Sequence, residues 1–252
     1  MVDDASPSYW GTTDDVVGEL HADSNFTDNT VTFNQKQSLS SVTLSVYEDD
    51  RHDGTAESGA LWKPTTGSGH DVGILRLSID DMTVEWLDIS LDSLDSTNTN
   101  KAIVLTGTNN NNIIRNNLIH DKAGNPGGTG PFLVHFIGAG AASDTASFLN
   151  NIIYNIVEGS NDNACALLLN QWAGTANIYN NTIYNVESQG GSKIAIGIRY
   201  ATPSSSVANV KNNIVAKLTS AASNGERAYE HGANNGGAGT VNEGYNLSDD
   251  TS

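Results

Sequence analysis

Basic residues are scarce in this chain. Twelve lysines and arginines stand against 29 aspartates and glutamates, for a net charge of −17. That balance argues against the basic stripe a nucleic-acid-binding surface needs, and an anionic membrane surface repels such a chain. Cysteine is nearly absent: Cys165 stands alone, so no intrachain disulfide can form. Its setting, Ala164-Cys165-Ala166-Leu167, reads as a small buried residue. No apolar run reaches the length of a membrane-spanning helix. Met1-Val2-Asp3-Asp4 has neither the basic nor the apolar region of a secretion signal, so export is expected through a signal already removed or through another route such as lysis. The histidines are scattered without the paired spacing of a zinc site. Gly138-Ala139-Gly140-Ala141-Ala142 is followed by no helical pattern, which argues against a dinucleotide loop. The acidity itself favours solubility and fits an extracellular or virion-surface setting.

What the chain has is a repeat. An Asn-Asn pair sits in a short apolar frame at Ile114-Arg115-Asn116-Asn117-Leu118-Ile119 and again at Leu149-Asn150-Asn151-Ile152-Ile153. It returns at Tyr179-Asn180-Asn181-Thr182-Ile183 and Lys211-Asn212-Asn213-Ile214-Val215, in steps of 34, 30 and 32 residues. A repeat of that period marks a solenoid, and the varying step predicts a fixed coil carrying loops of different length. The frame extends without the pair to Val84-Glu85-Trp86-Leu87-Asp88-Ile89 and to Val241-Asn242-Glu243-Gly244-Tyr245. Asparagine suits a corner because it tolerates left-handed backbone geometry and because stacked amides form hydrogen-bonded ladders.

One strand precedes each frame: Ile74 to Leu77, Ala102 to Thr106, Phe132 to Ile137, Cys165 to Asn170, Ile194 to Tyr200 and Ala228 to His231. Earlier strands are expected at Thr30 to Phe33, Val42 to Tyr47 and Leu61 to Lys63, with a polar loop over 48–54 between the last two. Three short strands per turn describe a parallel β-helix whose coils stack at about 4.8 Å. The expected organisation is a leader or cap over 1–30 and a β-helix domain over 31–252. In the cap, Thr12-Thr13-Asp14-Asp15 before Val16, Val17 and Leu20 predicts a short helix that would cover open strand edges.

This pattern, over residues 71–247, resembles the right-handed parallel β-helix, or pectate-lyase-like, superfamily. Arg51-His52-Asp53-Gly54-Thr55-Ala56 and Thr83-Val84-Glu85-Trp86-Leu87-Asp88-Ile89 are also similar to segments of β-helix proteins from marine phages and viral metagenomes. The resemblance implies an all-β, single-stranded right-handed solenoid with ligands along the sheet formed by the first strand of each coil. Alternation along those strands puts the isoleucines of Ile194-Ala195-Ile196-Gly197-Ile198 in the core and turns Gly197 and Arg199 outward, with His135, Leu168, Asn170 and Glu230. His135, Arg199 and Glu230 become candidate acid, base or acidic-sugar partners, with Asn170 beside them. Trp172 and Tyr200, just beyond the strands, would offer aromatic faces to a sugar ring. His120, Asp121 and Lys122 form a second candidate binding trio. A glycosidase needs paired carboxylates, and Asp121, Glu158, Asp162 and Glu187 follow the corners. In the pectate lyases calcium is held by acidic residues on the ligand sheet. No Asp cluster stands there in this chain, so a cofactor metal is not expected and calcium lacks a ligand set. The expected partner is a polysaccharide or cell-surface glycan, bound by a virion or tail-associated module. A lyase, a hydrolase and a purely structural surface protein remain as alternatives. The last coil is expected to pack on another copy or on a further domain, because an uncovered β-stack invites pairing.

Overall fold

The structure is a computed structural model that describes residues 14–23, 25–27, 30–34, 39–65, 73–92, 101–106, 111–122, 132–137, 141–159, 163–201, 205–222, 225–231 and 239–249. The Asn-Asn pairs are its corners, and each member of a pair has its own task. The first member adopts left-handed backbone geometry, with φ of 56° at Asn116, 55° at Asn150, 59° at Asn180 and 57° at Asn212. That turns the chain through a bend few residue types accept. Trp86 (φ 65°) and Tyr245 (φ 59°) hold the same geometry in the outer frames that lack the pair.

The second member is buried and builds a ladder between coils. The Oδ1 atoms of Asn117, Asn151, Asn181, Asn213 and Asn246 each accept the backbone N–H of the corner one coil earlier, at 2.9–3.0 Å. Each Nδ2 donates to a carbonyl of that earlier coil, at Val84, Ile114, Phe148, Ile178 and Val210. Four of the five also donate to the Oδ1 of the next amide. Polar groups buried at a corner are thereby satisfied by repetition of one residue.

Three parallel sheets result, one on each side of the coil. The first has eight strands, Asp15–Leu20, Ser41–Val46, Met82–Glu85, Asn112–Arg115, Thr145–Leu149, Thr175–Tyr179, Val207–Lys211 and Thr240–Gly244. The second, reached after the corner, has Leu61–Trp62, Asp88–Ser90, Leu118–Lys122, Ile152–Glu158, Thr182–Ser188, Ile214–Ser220 and Leu247–Ser248. The third has Val31–Phe33, Gly73–Leu77, Lys101–Thr106, Phe132–Ile137, Ala164–Asn170, Ala195–Ala201 and Glu226–His231. The architecture is therefore the all-β parallel β-helix expected, with three strands per coil. The strands expected before each corner all lie in the third sheet. Among the described residues no helix is long and apolar enough to cross a membrane.

The expected N-terminal helix is instead a strand. Asp15–Leu20 pairs in parallel with Ser41–Val46 and belongs to the first sheet. Two β-branched valines followed by Gly18 favour extended backbone over helix. Asp15 accepts a hydrogen bond from Ser41 Oγ at 2.6 Å across the strand pair rather than capping a helix. Thr12 and Thr13 lie outside the described residues.

The core runs down the axis as stacked aliphatic rows, such as Ile119, Ile153, Ile183 and Val215 from the second sheet. Covering such rows supplies about 25 cal/mol per Å² of apolar surface, and because each coil contacts mainly its neighbours, stability is close to a sum over coils.

Candidate functional site

The third sheet brings three predicted residues into one column. Register pairs His135 with Leu168, Leu168 with Arg199, and Arg199 with Glu230. Arg199 Nε lies 3.0 Å from Glu230 Oε2, with the two side chains 23% and 19% exposed. The column is not an open polar groove, however. His135 is 4% exposed and Leu168 is buried, next to an apolar cluster of Cys165, Ile196 and Ala201 on the same outer side. Burial pushes the Cys165 thiol up, far from nucleophilic range.

Strict alternation fails here at one point. Ladder pairing skips the step from Ile196 to Ile198, and a Cβ on Gly197 would meet Val215 Cγ1 at 2.5 Å. Gly197 therefore points into the core, followed by core Ile198, while Ile196 faces outward. This reverses the expectation for Gly197 and Ile196, and for Ile194, which packs against the same outer cluster as Ile196, and keeps it for Arg199. Asn170 lies two positions further along the strand, beside Ile137 and Ala201.

The aromatic faces expected at Trp172 and Tyr200 are inside the core. Trp172 is fully buried against Phe136, with ring centroids 5.7 Å apart. Tyr200 is buried, with its ring 5.3 Å from His231, and burial raises its hydroxyl pKa well above the usual value. Neither presents a face to a sugar: Tyr200 lies within strand Ala195–Ala201 and alternates inward from Arg199, and Trp172 turns into the core just beyond strand Ala164–Asn170. Of the acids proposed for a carboxylate pair, Glu158 is buried, Glu187 is half-buried and Asp162 lies outside the described residues.

The second sheet holds a more developed constellation, built around His120. Its Nε2 lies 2.7 Å from Asp88 Oδ1 and its Nδ1 lies 2.8 Å from Asp121 Oδ2. His120 and Asp88 are fully buried, while the Asp121 side chain is 37% exposed. Burial works to lower the His120 pKa, but hydrogen bonds to the two carboxylates, with their charge, outweigh it and raise it above 6.5. The ring stacks on Tyr154 at 5.1 Å with an interplanar angle of 8°. Burial, with help from Asp121 and Asp88, pushes the Tyr154 hydroxyl up to about 12. Lys122 is buried in register with core residue Ile156, so it does not join His120 and Asp121 on the outer face.

A strap crosses this end of the sheet. The chain leaves the first sheet after Val46 and enters the second at Leu61, and between them residues 51–59 lie across several coils. Glu57 N donates to Asp88 Oδ2 at 2.6 Å, and His52 Nε2 donates to the Asn116 carbonyl at 2.9 Å. A Cβ on Gly54 would reach Ile152 Cδ1 at 4.0 Å. Arg51 lies over the Trp86 ring, 5.0 Å from its centroid, and His52 packs 5.8 Å from the same ring. Burial lowers the His52 pKa below 6.5, opposed by its bond to Asn116 and by Asp88 and Asp53.

Beyond the strap the outer face of the second sheet opens. Register carries His120 to Tyr154, Tyr184 and Ala216 in successive coils. Tyr184 is 45% exposed. Beside this column runs another of left-handed residues, Asp121 (φ 58°), Asn155 (56°), Asn185 (58°) and Lys217 (56°). Asn155 Nδ2 donates to Asp121 Oδ1 at 2.8 Å, and Asn185 Nδ2 donates to Asn155 Oδ1 at 2.9 Å. Lys217 Nζ sits 5.4 Å above the Tyr184 ring. The sequence does carry a signal for this column, since each member stands four residues after the second Asn of its corner. Among the described residues no group of three His, Cys, Asp or Glu side chains is placed to hold a metal ion.

Compared with protein-family models, with curated proteins and with solved structures, the chain matches none of them.

Proposed function

We propose that this protein is a carbohydrate-interacting β-helix module of pectate-lyase-like architecture, presented outside the cell or on a virion, and that it binds rather than cleaves. The observation that carries this reading is the open floor of the second sheet. Tyrosine edges and hydroxyls lie there beside a ladder of side-chain amides, and the strap walls off one end. Tyrosine supplies apolar contact with a polar tip. Each amide in the ladder spends one N–H on its neighbour and keeps a second for a ligand. The rod shape and the −17 charge suit a soluble surface appendage.

Binding is favoured over turnover because the two carboxylates around His120, at the strap end, are already engaged. Asp88 and Asp121 both bond His120, and Asp88 also accepts from the strap. In the third-sheet column, Arg199 is spent on Glu230. An acid–base pair for glycoside cleavage needs two carboxyl groups facing the same bond, and a lyase needs a base free to take a proton.

The test is affinity electrophoresis of the full chain through a panel of marine and bacterial polysaccharides, with unsaturated-product absorbance and new reducing ends read on the same samples. Retardation without products is expected. Products of either kind would replace the binding reading with a lyase or a hydrolase, and no retardation on any polymer would leave a structural surface protein.

A further inference from the structure

Resting on that reading, we infer that the ligand is an uncharged glycan chain lying parallel to the solenoid axis, about one sugar per coil, over Tyr154, Asn155, Tyr184, Asn185 and Lys217. Three observations lead there.

Exposure is graded along the second sheet. Leu118 and His120, next to the strap, are buried; Ile152 and Tyr154, one coil on, are half-buried; Tyr184 and Ile214 are exposed. The floor therefore runs across three strands, Ile152–Glu158, Thr182–Ser188 and Ile214–Ser220, and is closed on the strap side. A chain laid along a single strand would meet one tyrosine and one amide. A chain laid along the axis meets Tyr154 and Asn155, then Tyr184 and Asn185, then Ala216 and Lys217.

The chemistry repeats at the rise of the solenoid. Successive strands lie about 4.8 Å apart, a length comparable to a pyranose ring. The ring of Tyr154 has one face against His120, and Tyr184 has Lys217 over its ring. The tyrosines thus offer edges and hydroxyls, and sugars would be held by hydroxyl and amide hydrogen bonds over a shallow apolar floor. Held open at positive φ, the side chains of Asn155 and Asn185 stand at fixed positions beside this line.

Charge selects the class of sugar. The strap end carries Asp53, Glu57, Asp88 and Asp121 against His120, Arg51 and Lys63, and Lys63 is paired with Asp92 at 2.8 Å. Together with the overall −17, this repels a uronate or sulfated polymer at long range. Among the described residues the lone cation on the open floor, Lys217, is turned over Tyr184. A neutral glycan incurs no such repulsion, and its binding should be nearly independent of salt.

The experiment is calorimetric titration of the full chain with neutral oligosaccharides of two to six sugars, drawn from whichever polymer the electrophoresis retains, and with uronate oligomers of matched length. Affinity should climb with each sugar up to about three and then level. Uronate oligomers should bind at least tenfold more weakly, and raising the salt should leave neutral binding unchanged. Tyr184→Ala and Asn185→Gly, the second keeping the left-handed backbone, should each weaken binding about tenfold. Arg199→Ala, on the third sheet, should leave it unchanged. Equal uronate affinity, no gain beyond one sugar, or silence of both floor variants would overturn the inference. Retention in electrophoresis that is lost in Arg199→Ala but kept in the floor variants would move the site to the third sheet while sparing the carbohydrate reading.

Discussion

Substituting the two asparagines of one corner should give opposite results. Asn180 is exposed and contributes its backbone, held at φ 59°. Asn180→Gly keeps that geometry accessible and should change stability by no more than about 0.5 kcal/mol. Asn180→Val forces a β-branched residue into the left-handed region and should cost about 1–2 kcal/mol. Asn181 contributes its side chain. Its Oδ1 accepts from Asn151 N at 2.9 Å and Asn151 Nδ2 at 3.1 Å; its Nδ2 donates to the Phe148 carbonyl and to Asn213 Oδ1, both at 2.9 Å. Asn181→Ala leaves the buried Asn151 N–H without this acceptor, which costs about 1–3 kcal/mol, and removes three further bonds of about 0.5–1.5 kcal/mol each. Allowing for relaxation, the loss should be about 3–6 kcal/mol. Urea titration followed by circular dichroism reads it directly. If Asn181→Ala does not fold, Asn246→Ala at the half-buried end of the ladder serves instead. There the amide accepts from Asn213 N and Nδ2, and the cost should be about 1–2 kcal/mol. The reasoning is refuted if Asn180→Gly costs as much as Asn181→Ala, or if Asn181→Ala stays within about 1 kcal/mol of the parent.

Gly197→Ala should destabilise by about 1–3 kcal/mol in the same titration, because the added methyl meets Val215 and the Ala228 carbonyl; an unchanged midpoint would mean that Gly197 faces outward after all. Lys217→Asn should stabilise by about 0.5 kcal/mol, since relief of a left-handed lysine exceeds loss of the exposed cation–π contact with Tyr184, and a lower midpoint would refute that balance. Stability should also depend on pH through His52 in the strap and His120 beneath it. His52, with its folded pKa lowered, contributes above pH 6.5 and loses that contribution as pH falls through the folded value. His120, with its folded pKa raised, contributes below pH 6.5 and loses that as pH rises through the folded value. Melting curves across this range should therefore flatten on the acid side in His52→Gln and on the alkaline side in His120→Gln; identical profiles in parent and variants would count against both assignments.

The corners were legible because they are local. A residue that must turn left-handed and then bury an amide leaves its mark in two adjacent letters, and the third-sheet strands follow within a residue or two of their expected bounds. The candidate site was less legible, for reasons of packing at a distance. Alternation set the direction of Arg199 correctly, but at Gly197 and Ile198 two successive positions turn inward, which nothing in Ile196-Gly197-Ile198 announces. Trp172 and Tyr200 look like surface aromatics until the coil is closed around them. His120 reads as one of a polar binding trio with Asp121 and Lys122, yet it is buried by a strap whose His52 contacts a corner 64 residues away. Asp15–Leu20 carries acids and threonines upstream like a helix start, but a neighbouring strand captured it.

The amide column also explains how the coils can differ in length without losing step. Corners are 30, 32, 33 or 34 residues apart, yet every rung closes at 2.9–3.0 Å onto the backbone. The surplus residues must therefore be discharged between strands, never within the corner. Mutational history in such a chain is free to lengthen, shorten or exchange those connections one coil at a time, while deletion of a single residue beside an asparagine pair would throw the whole stack out of phase. The protein can thus vary what it displays along its length and keep an unvarying spine.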